Sequence, residues 1–252
     1  MAAQSEIQWT DATVNFWTGC KKVSEGCKFC YMYRDKERYK QDPKTVLRTS
    51  NKTFYAALHW TEPKRIFTCS WSDFFIEEAD WWRADAWDVI RQTPHHTWQI
   101  LTKRPERILD CLPPDWGNGW ENVWIGVTVE NDETFEPRME LLNNVNAKIR
   151  FISFEPLIGR IQMTDERRKM MSGIHWAIIG GESGNDTGKY LYRPCELEWF
   201  THLIKSLPSH VAVFFKQTGT HLSKRLQLKD RHGGDYDELP PSLQIRQMPL
   251  QL

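Results

Sequence analysis

The 252-residue sequence has no apolar run approaching the roughly 18 residues that suggest a membrane-spanning helix. Residues 1–10 are polar and lack the basic-then-apolar pattern of a secretory signal. Lys plus Arg and Asp plus Glu both number 33, so net charge favours neither a nucleic-acid coat protein nor membrane adhesion. These absences predict a cytoplasmic protein with no membrane partner.

Several motifs are also missing from the sequence. No G-x-G-x-x-G follows the first predicted strand, which argues against a dinucleotide-binding fold. There is one C-x-x-C pair but no second one, and no H-x₃₋₅-H pair, so a four-ligand zinc finger lacks its usual spacing. We find no internal repeat and no low-complexity segment.

Short apolar runs alternate with helical patterns along most of the chain. Hydrophobic residues make up 40% of the sequence and charged residues 26%, a balance that supports a buried core. The predicted strands are Thr13–Thr18, Arg65–Cys69, Thr97–Leu101, Val123–Val129, Arg150–Phe154, His175–Ile179 and Val211–Phe215. The predicted helices are Glu77–Arg91, Asn131–Leu142, Asp165–Met171 and Glu196–Leu207. This alternation predicts an α/β fold of parallel βαβ units, either a closed or partial barrel or an open doubly wound sheet.

The length fits one large domain, and the composition changes near its end. From Leu222 onward the chain is more polar and contains Gly-Gly and Pro-Pro breaks. We therefore expect a βα domain over residues 1–220 and a C-terminal extension or lid over residues 221–252.

Polar residues follow almost every predicted strand directly. They are Ser70–Asp73, Thr102–Arg104, Glu130–Asn131, Glu155, Gly180–Gly184 and Lys216–Gln217. Because the carboxyl ends of parallel strands meet at one edge of a sheet, these residues predict a shared site. The alternative is that they are polar only because the chain leaves the core there.

Three of the six cysteines, Cys20, Cys27 and Cys30, lie close together in the sequence. In a reducing compartment such a cluster indicates metal binding or catalysis, whereas the scattered Cys69, Cys111 and Cys195 are expected to be buried. Three thiolate ligands would leave one iron of a [4Fe–4S] cluster open. An open iron suits binding of S-adenosylmethionine, whose reduction starts radical chemistry. The competing interpretation is zinc, which would need a fourth ligand from elsewhere in the chain.

The segment W-T-G-C-x₆-C-x-F-C-Y resembles the cluster loop of the radical S-adenosylmethionine superfamily, in which an aromatic residue often precedes the last cysteine. With S-W-S-D-F-F, L-T-K-R-P-E-R, W-I-G-V-T-V-E, F-I-S-F-E-P-L, I-I-G-G-E-S-G and F-F-K-Q-T-G, the chain also resembles a phage- and prophage-associated family of uncharacterised proteins over residues 17–219. The superfamily resemblance implies a partial or closed parallel βα barrel, a [4Fe–4S] cluster, S-adenosylmethionine and an electron donor such as flavodoxin or ferredoxin. The phage association implies a protein of the bacterial cytoplasm, encoded by a bacterium or its phage.

The resemblance also implies site residues, with two departures from the superfamily pattern. The first cysteine gap has six residues instead of the commoner three, and the Gly-Gly-Glu segment follows the sixth strand instead of the second. The expected cofactor-binding residues are Phe29, Ser70, Ser72, Asp73, Glu130, Gly180, Gly181, Glu182 and Ser183. The expected catalytic residues are Asp73, Lys103 and Glu155.

Each expected role has an ordinary alternative. Asp73 is expected at the amino end of the cofactor, and Glu130 and Glu155 at ribose hydroxyls or the substrate. The glycines would let backbone N–H groups approach a ligand, although a tight strand-to-helix turn explains them nearly as well. Lys103, Arg104 and Lys216 would bind a carboxylate or phosphate, or else form salt bridges.

Basic residues interleaved with tyrosines surround the cysteines, a pattern that suits a nucleobase, nucleotide or nucleic-acid substrate. They are Lys21, Lys22, Lys28, Arg34, Lys36, Arg38 and Lys40, with Tyr31, Tyr33 and Tyr39. A charge-rich helix face would give the same string. Two other functions stay open: a non-enzymatic zinc or iron–sulfur module that binds nucleic acid or protein, and a repair enzyme resembling the DNA photoproduct lyases.

Overall fold

Nine strands appear in the computed structural model, which describes residues 3–250. They are β1 (Ala12–Val14), β2 (Trp17–Thr18), β3 (Leu47–Arg48), β4 (Arg65–Thr68), β5 (Thr97–Thr102), β6 (Val123–Thr128), β7 (Ile149–Phe154), β8 (Trp176–Gly180) and β9 (Ala212–Gln217). Seven form one sheet in the order β1-β4-β5-β6-β7-β8-β9, and the pairs β1–β4, β4–β5, β7–β8 and β8–β9 are parallel. The predicted α/β class is confirmed.

Seven α-helices lie between or beside these strands in the described range. They are α1 (Tyr31–Arg38), α2 (Asn51–Phe54), α3 (Asp80–Gln92), α4 (Asp132–Asn143), α5 (Asp165–Met170), α6 (Leu197–Ser206) and α7 (Gly219–Arg225). The four predicted helices correspond to α3, α4, α5 and α6. The start of α3 is shifted because Glu77–Ala79 forms a 3₁₀ turn before it. Over residues 3–250, no helix is both long and apolar enough to cross a bilayer.

The predicted first strand, Thr13–Thr18, was wrong as a single element. Its first part pairs in parallel with β4, whereas Trp17 lies opposite Arg48 in an antiparallel pair with β3. Between them the carbonyls of Asn15 and Phe16 both accept from the Thr49 hydroxyl, at 2.9 and 3.0 Å. The chain therefore changes partner at this point. The backbone before Asn15 pairs with β4, and the backbone after Phe16 pairs with β3.

The described chain divides into two compact units. The first contains the residues up to Val23, Met32–Gly126 and Asn144–Lys148, and the second contains Ser24–Tyr31, Val127–Asn143 and the residues from Ile149 onward. The expected boundary at residue 220 stays a prediction; it falls inside α7. Residues 1, 2, 251 and 252 of the two expected segments lie outside the described range.

An aromatic core fills the first unit. Phe16 stacks on Trp98 with ring centroids 5.7 Å apart and meets the edge of Phe54 at 4.9 Å. The indole of Trp98 donates to the Thr93 hydroxyl at 3.0 Å, so its one polar group is satisfied although the ring is buried. Trp17 is likewise buried and donates to the Asp73 carbonyl.

The second unit has its own aromatic core, which the C-terminal residues help to cover. Phe200 packs on Phe215 with ring centroids 5.3 Å apart. Phe214 pairs with Arg246 through an isolated antiparallel bridge, and Leu239 and Leu243 are buried. The polar C-terminal stretch is therefore part of the second unit, and its buried leucines contribute to the core.

We expect Trp98→Ala to lower the free energy of unfolding by about 3–5 kcal/mol, because it removes a buried ring and leaves a cavity. Trp81→Ala is the matched control, since Trp81 is 90% exposed on α3, and it should change stability by less than about 0.5 kcal/mol. Urea unfolding followed by circular dichroism measures both. Equal losses in the two variants would contradict the assignment of the core.

Candidate functional site

The six cysteines fall into different environments. All are free thiols in the described chain, and Cys20, Cys27 and Cys30 are half-buried. Burial raises the pKa of the Cys69 thiol to about 12 and that of Cys195 to about 11. Such thiols are inert, whereas partly exposed thiols are available to metals and reagents. Cys111, expected to be buried, is half-buried instead.

The backbone around Cys20 is held on both sides within the first unit. Gly19, at φ +93°, donates its N–H to the Trp71 carbonyl at 2.9 Å and accepts from the Ser72 hydroxyl at 2.5 Å. Cys20 donates its N–H to the Pro43 carbonyl and accepts from the Tyr33 hydroxyl at 2.6 Å. A side chain at residue 19 would overlap the Thr45 carbonyl, so glycine is required there.

The side chains of Ser70 and Ser72 both form hydrogen bonds within the fold. The Ser70 hydroxyl shares hydrogen bonds with the Asn15 amide, whose oxygen also accepts from the Trp71 N–H at 2.8 Å. Ser72 holds the Gly19 carbonyl. Their contact with a cofactor stays a prediction.

The carboxylate of Asp73 is buried and saturated with donors. Its Oδ1 accepts from the Thr102 hydroxyl at 2.7 Å and from the Phe75 N–H at 3.0 Å. Its Oδ2 accepts from the Lys103 N–H at 2.9 Å and lies 3.3 Å from Nη1 of Arg104. Two acceptor sites on each oxygen are thus occupied, which leaves no ready position for the amino group of a ligand.

Arg104 connects the Asp73 carboxylate to the cysteine loop, which comprises residues 19–30. Its Nη1 lies 3.6 Å from the Cys20 sulfur, and its Nη2 donates to the Lys21 carbonyl at 2.7 Å. The guanidinium is almost fully buried. The sequence offered Arg104 only as an anion binder or a salt-bridge partner. Its position directly after β5 was the available signal, but nothing in the sequence pairs it with Cys20.

A second buried carboxylate holds the other half of the cysteine loop, within the second unit. Glu130, 1% exposed, accepts from the Ser24 hydroxyl at 2.7 Å and lies 3.3 Å from Arg138. The Ser24 oxygen is 3.7 Å from the Cys27 sulfur. A Cβ on Gly26 would overlap the Glu130 carboxylate, so this glycine lets the carboxylate pack against the loop.

Glu182 is the third such carboxylate, also in the second unit. It is buried, forms a two-pronged ion pair with Arg193 and accepts from the Arg193 N–H at 2.8 Å. The same guanidinium donates to the Glu25 carbonyl at 3.0 Å and lies 5.6 Å from the centre of the Phe29 ring. Lys28 lies 5.4 Å from that ring. Arg193 thus links the Gly-Gly-Glu segment to the cysteine loop, and the sequence did not single it out.

Glu155 differs from these three carboxylates because it is partly exposed. Its Oε1 pairs with the Lys216 ammonium at 2.6 Å, and the two side chains are 17% and 21% exposed. A Cβ on Gly180 would lie 3.1 Å from the Glu155 carboxylate, so the two residues are in contact range. The structure therefore brings the ends of β7, β8 and β9 together at a polar pair that is partly exposed.

The glycines after β8 serve the packing of the backbone. Gly181 donates its N–H to the Gln217 carbonyl at 2.9 Å, and Gly184 donates to the Thr220 hydroxyl at 3.1 Å. A Cβ on Gly181 would overlap the Thr218 carbonyl. Two of the amides expected to approach a ligand are therefore used within the fold, which favours the tight-turn interpretation. Ser183 is half-buried beside them.

The basic residues near the cysteines do not form one solvated face. Lys36 is buried and donates to the Thr18 hydroxyl at 3.0 Å, and burial lowers the pKa of its ammonium. Lys21 pairs with Glu78. Lys22 is exposed and lies over the Tyr33 ring.

Over residues 3–250, no three His, Cys, Asp or Glu side chains are grouped so as to hold a metal ion. The chemistry of the donors nevertheless suits thiolate ligation, because Cys20, Cys27 and Cys30 are free and half-buried. The three residues are thus the type of ligand that an iron–sulfur cluster requires.

Comparison with protein families places the chain in one of them. The chain belongs to the family described as protein of unknown function (DUF5131), whose model matches residues 4–241. Searches of curated proteins and of solved structures gave no match.

We expect Glu130→Gln to cost about 3 kcal/mol of unfolding free energy, because it leaves Arg138 buried without its charge partner. Glu133→Gln, an exposed substitution three residues along, should cost less than about 0.5 kcal/mol. Urea unfolding compares the two variants. If Glu130→Gln unfolds like the wild type, the carboxylate does not hold this part of the structure.

Proposed function

We propose that this chain is a radical S-adenosylmethionine enzyme that binds a [4Fe–4S] cluster through Cys20, Cys27 and Cys30. The observation that carries the proposal is the support given to the cysteine loop. Buried carboxylates reach this loop through Arg104, Ser24 and Arg193, while the three thiols stay half-buried. A loop that is fixed in this way while its thiols stay accessible suits the binding of a ligand.

The cofactor supplies the difficult chemistry, and the chain supplies binding and orientation. The bound cluster would pass one electron, received from a donor such as flavodoxin or ferredoxin, to S-adenosylmethionine and so cleave it. Phe29 is half-buried and offers an aromatic surface to the adenine. Glu155 would accept from ribose hydroxyls or the substrate, and Gly180, Gly181, Glu182 and Ser183 would line the proposed cofactor site beside it.

A carboxylate or phosphate of the ligand would be met by lysines. Lys216 is partly exposed beside Glu155, and Lys103 follows β5. Because Asp73 is saturated, its part in the reaction would be to fix Arg104 and the turn after β5.

A nucleobase, nucleotide or nucleic acid is the substrate class that we propose. Cationic groups accompany aromatic rings beside the loop: Lys28 and Arg193 at Phe29 in the second unit, and Lys22 at Tyr33 in the first. Aromatic rings with adjacent cations suit stacked bases and their phosphates. The barrel form of the sheet and a location in the bacterial cytoplasm are further parts of this proposal.

Anaerobic reconstitution with iron and sulfide should give a brown protein with about four irons per chain. It should cleave S-adenosylmethionine to 5′-deoxyadenosine when dithionite is the reductant. Cys27→Ala should abolish the full cluster, whereas Cys111→Ala, also at a half-buried thiol, should retain it. Iron and sulfide analysis with electron paramagnetic resonance measures this.

Two results would overturn the proposal. A full cluster in the Cys27→Ala variant would show that Cys27 is not a cluster ligand. A colourless protein with one bound zinc would indicate a structural zinc module instead of a radical enzyme. Cleavage with recovery of intact S-adenosylmethionine would favour the chemistry of photoproduct lyases over consumption of the cofactor.

We expect Glu155→Gln to weaken binding of S-adenosylmethionine or substrate about tenfold while the iron content stays that of the wild type, because a charged acceptor is replaced by a weaker, neutral one. Glu198→Gln, at an exposed site on α6, is the control and should bind normally. Isothermal titration calorimetry of the reconstituted protein measures the affinity. If the affinity for both ligands is unchanged, Glu155 does not contact either of them.

A further inference from the structure

We infer that Arg104 is a positioning residue that donates a hydrogen bond to the sulfur of Cys20 and so sets the stability and potential of the cluster. This inference rests on the proposed function. Its geometry lies wholly in the first unit: Nη1 of Arg104 is 3.6 Å from the Cys20 sulfur, and both residues have their backbones fixed.

The guanidinium is held from two sides, so its direction is determined. On one side Asp73 lies 3.3 Å from Nη1, and on the other the Lys21 carbonyl accepts from Nη2 at 2.7 Å. The Arg104 backbone N–H donates to the Thr102 hydroxyl, which itself donates to Asp73. A planar guanidinium with several N–H donors can make all these contacts at once, whereas a lysine ammonium cannot reproduce this arrangement of donors.

Burial makes this contact strong. Arg104 and Asp73 are each less than one-tenth exposed, so little water screens the charge on the guanidinium. Cluster potentials respond to net charge and to hydrogen bonds on the sulfurs. A cationic donor at Cys20 would favour the more negative reduced state, and it would also hold the ligand in place before the cluster binds.

Arg107 provides a matched control. It ends the 3₁₀ turn Pro105–Arg107 that directly follows Arg104, and its Nη2 is 3.6 Å from the sulfur of Cys111, which is not a proposed ligand. Its other contacts are the Phe75 carbonyl and Asp80. Arg107→Met thus removes the same kind of arginine–sulfur contact at a cysteine without a cluster.

The test compares Arg104→Met, Arg104→Lys and Arg107→Met with the wild type after anaerobic reconstitution. In Arg104→Met we expect the cluster to be lost to a chelator about tenfold or more readily, because an outer-shell partner has been removed. We also expect its midpoint potential to shift to more negative values in a titration followed by electron paramagnetic resonance. Arg104→Lys should give a chelator resistance and a midpoint potential between those of Arg104→Met and the wild type. Arg107→Met should match the wild type in both.

Hydrogen–deuterium exchange on the protein before reconstitution separates the inference from the proposed function. Arg104→Met should speed exchange of the amides at residues 19–22, whereas Arg107→Met should not. If the wild type binds no cluster, the proposed function fails whatever the exchange result. If the wild type binds a cluster but Arg104→Met keeps its potential, chelator resistance and exchange, the inference about Arg104 is wrong.

Discussion

The buried ion pair between a carboxylate and an arginine is the interaction on which the cysteine loop depends. In the first unit, Asp73 fixes Arg104, and Arg104 reaches Cys20. In the second unit, buried Glu182 fixes the partly exposed Arg193, which reaches the backbone of Glu25. Glu130 follows the same plan with Arg138, although here the carboxylate itself reaches the loop, through Ser24.

Such pairs are a poor way to gain stability. Removing two charges from water costs several kcal/mol, and well-packed apolar side chains of similar size often do as well or better. What a buried pair supplies is direction, because each charge restricts where the other can lie. If Cys20 and Cys27 bind the proposed cluster, fixed direction is what they need, since a ligating thiol must keep its position while remaining accessible. The energetic cost of these pairs is therefore consistent with a ligand-binding role for the loop.

The sequence predicted the framework well because strands buried on both faces are largely apolar along their length. Val123–Val129 and Arg150–Phe154 are such runs, and the structure begins and ends their strands within one residue of the expected bounds. Thr13–Thr18 failed because partner choice decided its structure: β1 and β2 bind different strands, and local composition does not encode the partner.

The expected strand-end residues were found at strand ends, but their contacts were not foreseeable. Whether a carboxylate faces a ligand or the fold depends on donors distant in sequence, such as Thr102 for Asp73 and Ser24 for Glu130. A periodicity argument identifies the edge of a sheet; it does not count the hydrogen bonds at each oxygen. Arg104 was therefore underestimated, although it lies in a segment that the sequence had marked, and Arg193 was missed because it lies in none.

Counting donors also changes which side chains can meet a ligand. A carboxylate oxygen accepts about two hydrogen bonds, so Asp73 with four donors offers nothing further without breaking the turn after β5. Glu155 has a single ion pair at Oε1 and is partly exposed. Because exchanging one partly exposed ion pair costs little, whereas uncovering a buried charge costs several kcal/mol, we assign the proposed ligand contact to Glu155 and Lys216. In the proposed reaction, the buried carboxylates would then act only through the residues that they hold.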